Sequence, residues 1–103
     1  MTYRLDISQN FEEDLDATLD YISHKLHSPV AAKNLLHSTE EKLKLILENP
    51  LLYPLYHDDY LAKRGYRYAV VSNFLVFYVI DDDKQTIHIV RFLYGGQNIT
   101  NNL

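Results

Sequence analysis

The chain has 103 residues, 47% of them hydrophobic, a net charge of −4, nine tyrosines, no tryptophan and no cysteine. That length supports a single domain over residues 1–103 with one modest core, and the apolar content argues against disorder. The lack of cysteine excludes disulfides, thiol chemistry and cysteine-based metal sites, and the acidic balance lowers the prior for direct nucleic-acid binding.

The N-terminal MTYRLDISQNFEEDLD lacks the apolar core of a signal peptide. No run reaches the roughly 20 apolar residues of a membrane span, so a cytoplasmic protein without membrane contact is expected. Residues Tyr3–Ile7 alternate, with Tyr3, Leu5 and Ile7 on one face, and predict a short strand. Asn10 with Glu13 three residues on reads as an N-cap and capping-box pair. Phe11, Leu15, Leu19, Ile22 and Leu26 then recur at three and four, which predicts a helix to about His27.

Ser28-Pro29 marks a second helix start, and Asn49-Pro50 its end. Ala32, Leu35, Leu36, Thr39, Leu43, Ile46 and Leu47 form its apolar stripe. The two helices make an antiparallel hairpin. Leu51–Arg64 has no clear period and reads as a long connector, with a short strand or turn of helix near Tyr60–Lys63.

Tyr66–Val71, Phe74–Ile80 and Thr86–Tyr94 are rich in β-branched and aromatic residues and predict three antiparallel strands. With Ser72-Asn73 as a two-residue hairpin loop, Val71 pairs with Phe74 and Arg67 with Tyr78. One face then carries Arg67, Ala69, Val71, Phe74, Val76 and Tyr78, and the other Tyr68, Val70, Leu75, Phe77 and Val79. The second is more uniformly apolar and is expected under the helices, leaving the first as the working face. Arg91 is in phase with Ile87, Ile89 and Leu93, and periodicity does not assign that set to a face. The predicted order is β-α-α-β-β-β, an α+β domain with an N-terminal helical hairpin packed on an antiparallel sheet.

No cofactor or metal site is expected. His24 and His27 are spaced to share a cation but no third ligand accompanies them, and Asp81-Asp82-Asp83 lacks calcium-loop spacing. Gly95-Gly96 is not a phosphate loop. The candidate functional groups are Arg64, Arg67, Tyr78, Arg91 and Tyr94. They suit either stabilisation of phosphate charge or charge-assisted capture of a partner. For Arg91, anchoring a loop or the C-terminus is an equal alternative.

Taken together, these segments resemble the RelE/ParE superfamily of type II toxin–antitoxin toxins. Leu15–Tyr21, Ala31, Ala32, the Leu43–Leu47 stripe and Asn49-Pro50 resemble its helical hairpin. Gly65 through IHIVRFLYGGQN resembles its terminal sheet. The resemblance implies a toxin neutralised by a cognate antitoxin. The antitoxin's disordered C-terminal segment would fold across sheet and hairpin, and DNA would be contacted only through it. RelE-like members cleave mRNA on the ribosome with several basic residues, whereas ParE-like members poison DNA gyrase. Here Arg67 occupies one basic position, but Phe74 and Gln97 stand where those nucleases carry bases. The similarity is therefore closer to the ParE branch and implies a gyrase-binding inhibitor more than an enzyme. Arg64, Arg67, Tyr78, Arg91, Tyr94 and Gln97 are its candidate contacts with target or antitoxin. The alternatives are a RelE-like ribosome-dependent endoribonuclease using Arg67, Arg64 and Tyr94, or a degenerate toxin that keeps only antitoxin binding.

Overall fold

The computed structural model describes residues 2–103. Strand β1 (Arg4–Ile7) leads into helix α1 (Gln9–Asp20), a π-helical turn (Tyr21–Lys25) and helix α2 (Pro29–Glu48). A short helix α3 (Asp59–Lys63) precedes strands β2 (Arg67–Val71), β3 (Phe74–Asp81) and β4 (Thr86–Tyr94), and a 3-10 turn (Thr100–Asn102) follows. The sheet order is β1-β4-β3-β2. β2, β3 and β4 are antiparallel as the sequence predicts, but β1 joins β4 in parallel, so the sheet is mixed.

The helices start and stop where side chains can replace missing backbone partners. Ser28 accepts from the Ala31 N–H and Pro29 opens α2, as expected. The α1 cap is Ser8, not Asn10. Ser8 leaves β1 with extended backbone, and its Oγ accepts from the Phe11 N–H at 3.0 Å while donating to the Val90 carbonyl at 2.8 Å. Asn10 and Glu13 thus fall inside the first turns, and Glu13 bonds Gln9 instead. The α1 stripe also ends early. The π-turn adds a residue to the helical repeat, so the stripe is kept through Ile22 and Leu26 swings out to 56% exposure.

The hairpin register is as predicted, with Arg67 opposite Tyr78 and Val71 opposite Phe74. The assignment of faces is reversed. The helices cover the Ala69, Val71, Val76 and Tyr78 face, where Phe11 of α1 and Leu35 and Ile46 of α2 complete the core. The opposite face is not left to solvent either. Phe77 and Leu93 on it are covered by Leu61 of α3 and Ile99 of the C-terminal segment. Apolarity therefore marked two covered faces, and it was the cover that differed. A bulge beside Phe77 and Tyr78 divides the predicted Arg91 set. Ile87 and Ile89 point to the helices, while Arg91 and Leu93 lie on the far side.

Tyr78 is fully buried under the helices, and its hydroxyl donates to the Pro50 carbonyl at 2.6 Å. Burial pushes its phenol up to about 12 against the opposing pull of Arg67. The unfolded chain releases this proton near pH 10, the folded chain near 12. The contribution is therefore complete below pH 10 and is lost as pH rises from 10 to 12, roughly 2–3 kcal/mol in all. Denaturant midpoints measured across pH 8–12 should fall in that window, and less steeply in Tyr78→Phe. That variant should cost about 1 kcal/mol at neutral pH, because the buried Pro50 carbonyl loses its donor.

Candidate functional site

A groove of about 760 Å³ lies between the far end of the helical hairpin and the tip of the β2–β3 hairpin. Its helical wall is Ala17, Thr18, Tyr21 and Ile22, continued by Leu26, Ala31 and Leu35. The sheet wall is Ser72, Asn73, Phe74 and Tyr94. None of these side chains is charged. Tyr21, Leu26 and Tyr94 each remain more than half exposed at its rim, a concentration of large apolar groups that marks a contact surface.

Local structure explains the shape. The π-turn puts Tyr21 and Leu26 on the groove side instead of the core side. Ser72 takes the left-handed conformation, φ 56°, that a two-residue hairpin loop needs. The Asn73 carbonyl accepts from the Gly95 N–H at 2.9 Å, which ties the hairpin tip to the end of β4. An aromatic series runs inward from the rim. Tyr94 meets Phe74 edge-on at 5.9 Å, Phe74 stacks on Phe92 at 5.0 Å, and Phe92 meets Phe11 edge-on at 5.8 Å. A Cβ on Gly96 would lie 2.6 Å from Tyr94 Cε2, so any larger residue there displaces the exposed Tyr94 ring.

The sequence-derived candidates do not converge on one point. Tyr94 lines the groove, and the Gln97 Oε1 accepts from its N–H at 3.0 Å. Arg64 is exposed and lays its guanidinium 3.6 Å over the Tyr60 ring. Arg67 donates to the Tyr53 carbonyl at 2.6 Å, and with Tyr78 it pins the connector across the sheet. Arg67 pairs opposite Tyr78 and Tyr94 opposite Phe74, four residues apart along β3, roughly 13 Å. His24 pairs with Asp20 at 2.9 Å.

Arg91 makes the most bonds. Its Nε and Nη2 fork onto the Asp14 carboxylate at 2.7 and 2.9 Å, and Nη1 donates to the Asn102 carbonyl at 2.7 Å. The Asp14 bond holds the guanidinium proton more firmly still, raising Arg91 above its usual range. Asp14 also accepts from the Phe92 N–H at 3.0 Å. Of Arg91's two sequence readings, the geometry is that of an anchor.

The groove was not legible in the sequence. Tyr21 enters there only through the resemblance of Leu15–Tyr21 to the family's helical hairpin, and Leu26 reads as core because its spacing from Ile22 is helical. The available signals were the small Ala17 and Ala31, and an aromatic pair at strand ends that proved to be Phe74 and Tyr94.

The sequence profile of the family described as the ParE toxin of the type II toxin–antitoxin system parDE matches residues 5–99. No curated protein sequence matches the chain. Among solved structures, the fold is similar to a chromosomal ParDE toxin–antitoxin system from Pseudomonas aeruginosa, at TM-score 0.72 and 18% identity, covering 90% of this chain and 96% of that one. It is similar to the Escherichia coli DinJ-YafQ complex at 0.56 and 17%, covering 89% and 92%. It is also similar to a RelBE2 toxin–antitoxin complex from Mycobacterium tuberculosis at 0.52 and 14%, covering 91% and 99%.

Asp14→Ala should lower stability by about 2–4 kcal/mol, since it strands a half-buried guanidinium and a backbone N–H together. For a domain of this size that is a fall in Tm of roughly 10–20 °C, read by calorimetry. Gly96→Ala should leave Tm within a few degrees, because only the exposed Tyr94 ring must move. Its effect should appear as altered ring-current shifts at Phe74.

Proposed function

The chain belongs to the ParE toxin family of type II toxin–antitoxin systems, and we propose on that premise that it acts by binding and inhibiting DNA gyrase until a cognate antitoxin neutralises it. The observation that carries the binding reading is what the arginines are doing. Arg67 and Arg91 spend their donors on the Tyr53 carbonyl, the Asp14 carboxylate and the Asn102 carbonyl. Cleaving RNA needs several charges aimed at one phosphate. A constellation of Arg64, Arg67 and Tyr94 is instead spread over three places on the surface. What the fold offers in concentrated form is uncharged, apolar contact area.

The groove is the surface we assign to the antitoxin. An apolar trough between two helices and a hairpin tip suits one face of an amphipathic helix, with Tyr21, Leu26 and Tyr94 as anchors. The partner segment would order on binding, and the toxin would reach DNA only through it. A net charge of −4 agrees with that division of labour.

Purified protein added to gyrase should block supercoiling of relaxed plasmid, and the antitoxin should relieve the block. Unchanged supercoiling at large excess, together with ribosome-dependent mRNA cleavage lost in Arg67→Ala, would establish the RelE-type activity in its place. Growth without arrest after induction would leave antitoxin binding as the sole function. Within the complex, Tyr21→Ala and Leu26→Ala should each weaken antitoxin affinity by about 10–100-fold, as central anchors do.

A further inference from the structure

The π-turn at the end of α1 absorbs one residue more than an α-helix would. The Leu26 N–H donates to the Tyr21 carbonyl at 3.2 Å, five residues back. The bond that closes the turn runs from the Ser28 N–H to the Ile22 carbonyl at 3.1 Å, six residues back. An α-helix spans four, and a left-handed cap closes over five. His27 forms that cap at φ 52°, a conformation unfavourable for a residue with a Cβ.

The extra residue decides what the groove wall presents. Ala17 and Tyr21 are four apart, one above the other, and both line the groove. The next position of an α-helix on that line is Lys25. With one residue absorbed it is Leu26, while Lys25 is exposed and off the wall. We infer that residues 21–28 have two registers, and that exchange between them switches the groove wall from Leu26 to Lys25. In the second register the helix runs unbroken, Leu26 rejoins the Phe11, Leu15, Leu19 and Ile22 stripe, and Lys25 stands above Tyr21.

The sequence carries the spacing of one register and the structure adopts the other, because their costs offset. The π-turn leaves Leu26 56% exposed and His27 left-handed. Against that, His24 Nδ1 lies 2.9 Å from Asp20 Oδ1 and 3.2 Å from the Asp20 carbonyl. Both are acceptors, so Nδ1 carries the proton. The Asp20 carbonyl is the one an α continuation assigns to the His24 N–H, so the side chain occupies an acceptor that the second register needs. The groove walls carry no other charge, and Lys25 would bring one to them. An apolar occupant therefore selects the first register, and its apparent affinity scales with the fraction of chains in that register. The two registers belong to the free chain and do not depend on what the groove receives.

The test is methyl and amide relaxation dispersion on the free full chain. Residues 21–28 should report one second state populated at roughly 1–10%, and Phe74 and Tyr94 across the groove should exchange at the same rate. Deleting His24 leaves Leu26 four residues after Tyr21 in an unbroken helix, with no residue to absorb. In that variant the exchange should vanish, and Leu26 should keep its contact with Tyr21. A wild-type chain without exchange at residues 21–28, or a deletion variant that exchanges as the wild type does, overturns the inference. If the deletion variant does not fold, Leu26→Ser decides. Serine gains nothing by rejoining the apolar stripe, so the second population should fall at least tenfold, and an unchanged population overturns the inference.

Discussion

One carboxylate holds the two layers and the C-terminal segment of this protein in register. β1 pairs with β4 only as far as Ile89, so the outer edge of β4 from Val90 onward has no strand beside it. Side chains take the place of that strand. Ser8 donates to the Val90 carbonyl, Asp14 accepts from the Phe92 N–H, and Gln97 accepts from the Tyr94 N–H. Asp14 is the central one, because it also receives both arms of Arg91. The acid fixes α1 along the sheet edge, satisfies a backbone donor that no strand reaches, and directs Arg91 at the C-terminal segment. An unpaired edge is a template for unwanted association, and here it is closed without adding a strand.

The bulge in β4 follows from the same tie. Without it, Arg91 would share a face with Ile87 and Ile89 and be driven under the helices, where a guanidinium has no water. The extra residue near Val90 turns Arg91 to the far side and brings Phe92 round to the helix-side core. Strand irregularity and ion pair are thus one feature, linking the sheet to both ends of the chain.

What could be read from the sequence was whatever is encoded locally. Ser28-Pro29, Asn49-Pro50 and the Ser72-Asn73 loop each carry their own stereochemistry, and each sits where it was predicted, together with the Arg67–Tyr78 register that the loop dictates. Misreadings arose where a residue's role depends on something distant. Asn10 and Ser8 are both good caps, and what decides for Ser8 is the end of β1 and a carbonyl 82 residues away. Leu26 has ideal helical spacing, but a π-turn shifts it outward. The more apolar strand face looked like the one for the helices because nothing marked Leu61 and Ile99 as its cover. The groove was least visible, since its walls come from four separate segments and no spacing joins them.

β4 is the element that both surfaces share. On the helix side, Tyr94 closes the groove and Phe92 continues the aromatic series into the core. On the far side, Leu93 and Arg91 receive the C-terminal segment. Successive residues of one strand therefore serve opposite faces, the period-two geometry of a sheet. Gln97 and Asp14 connect them again, one from the Tyr94 backbone into the C-terminal turn, the other from α1 to Arg91. The fold is shared with relatives at 14–18% identity. Within it, Arg67 and Arg91 are committed to carbonyls and a carboxylate, while the groove carries uncharged apolar and aromatic area.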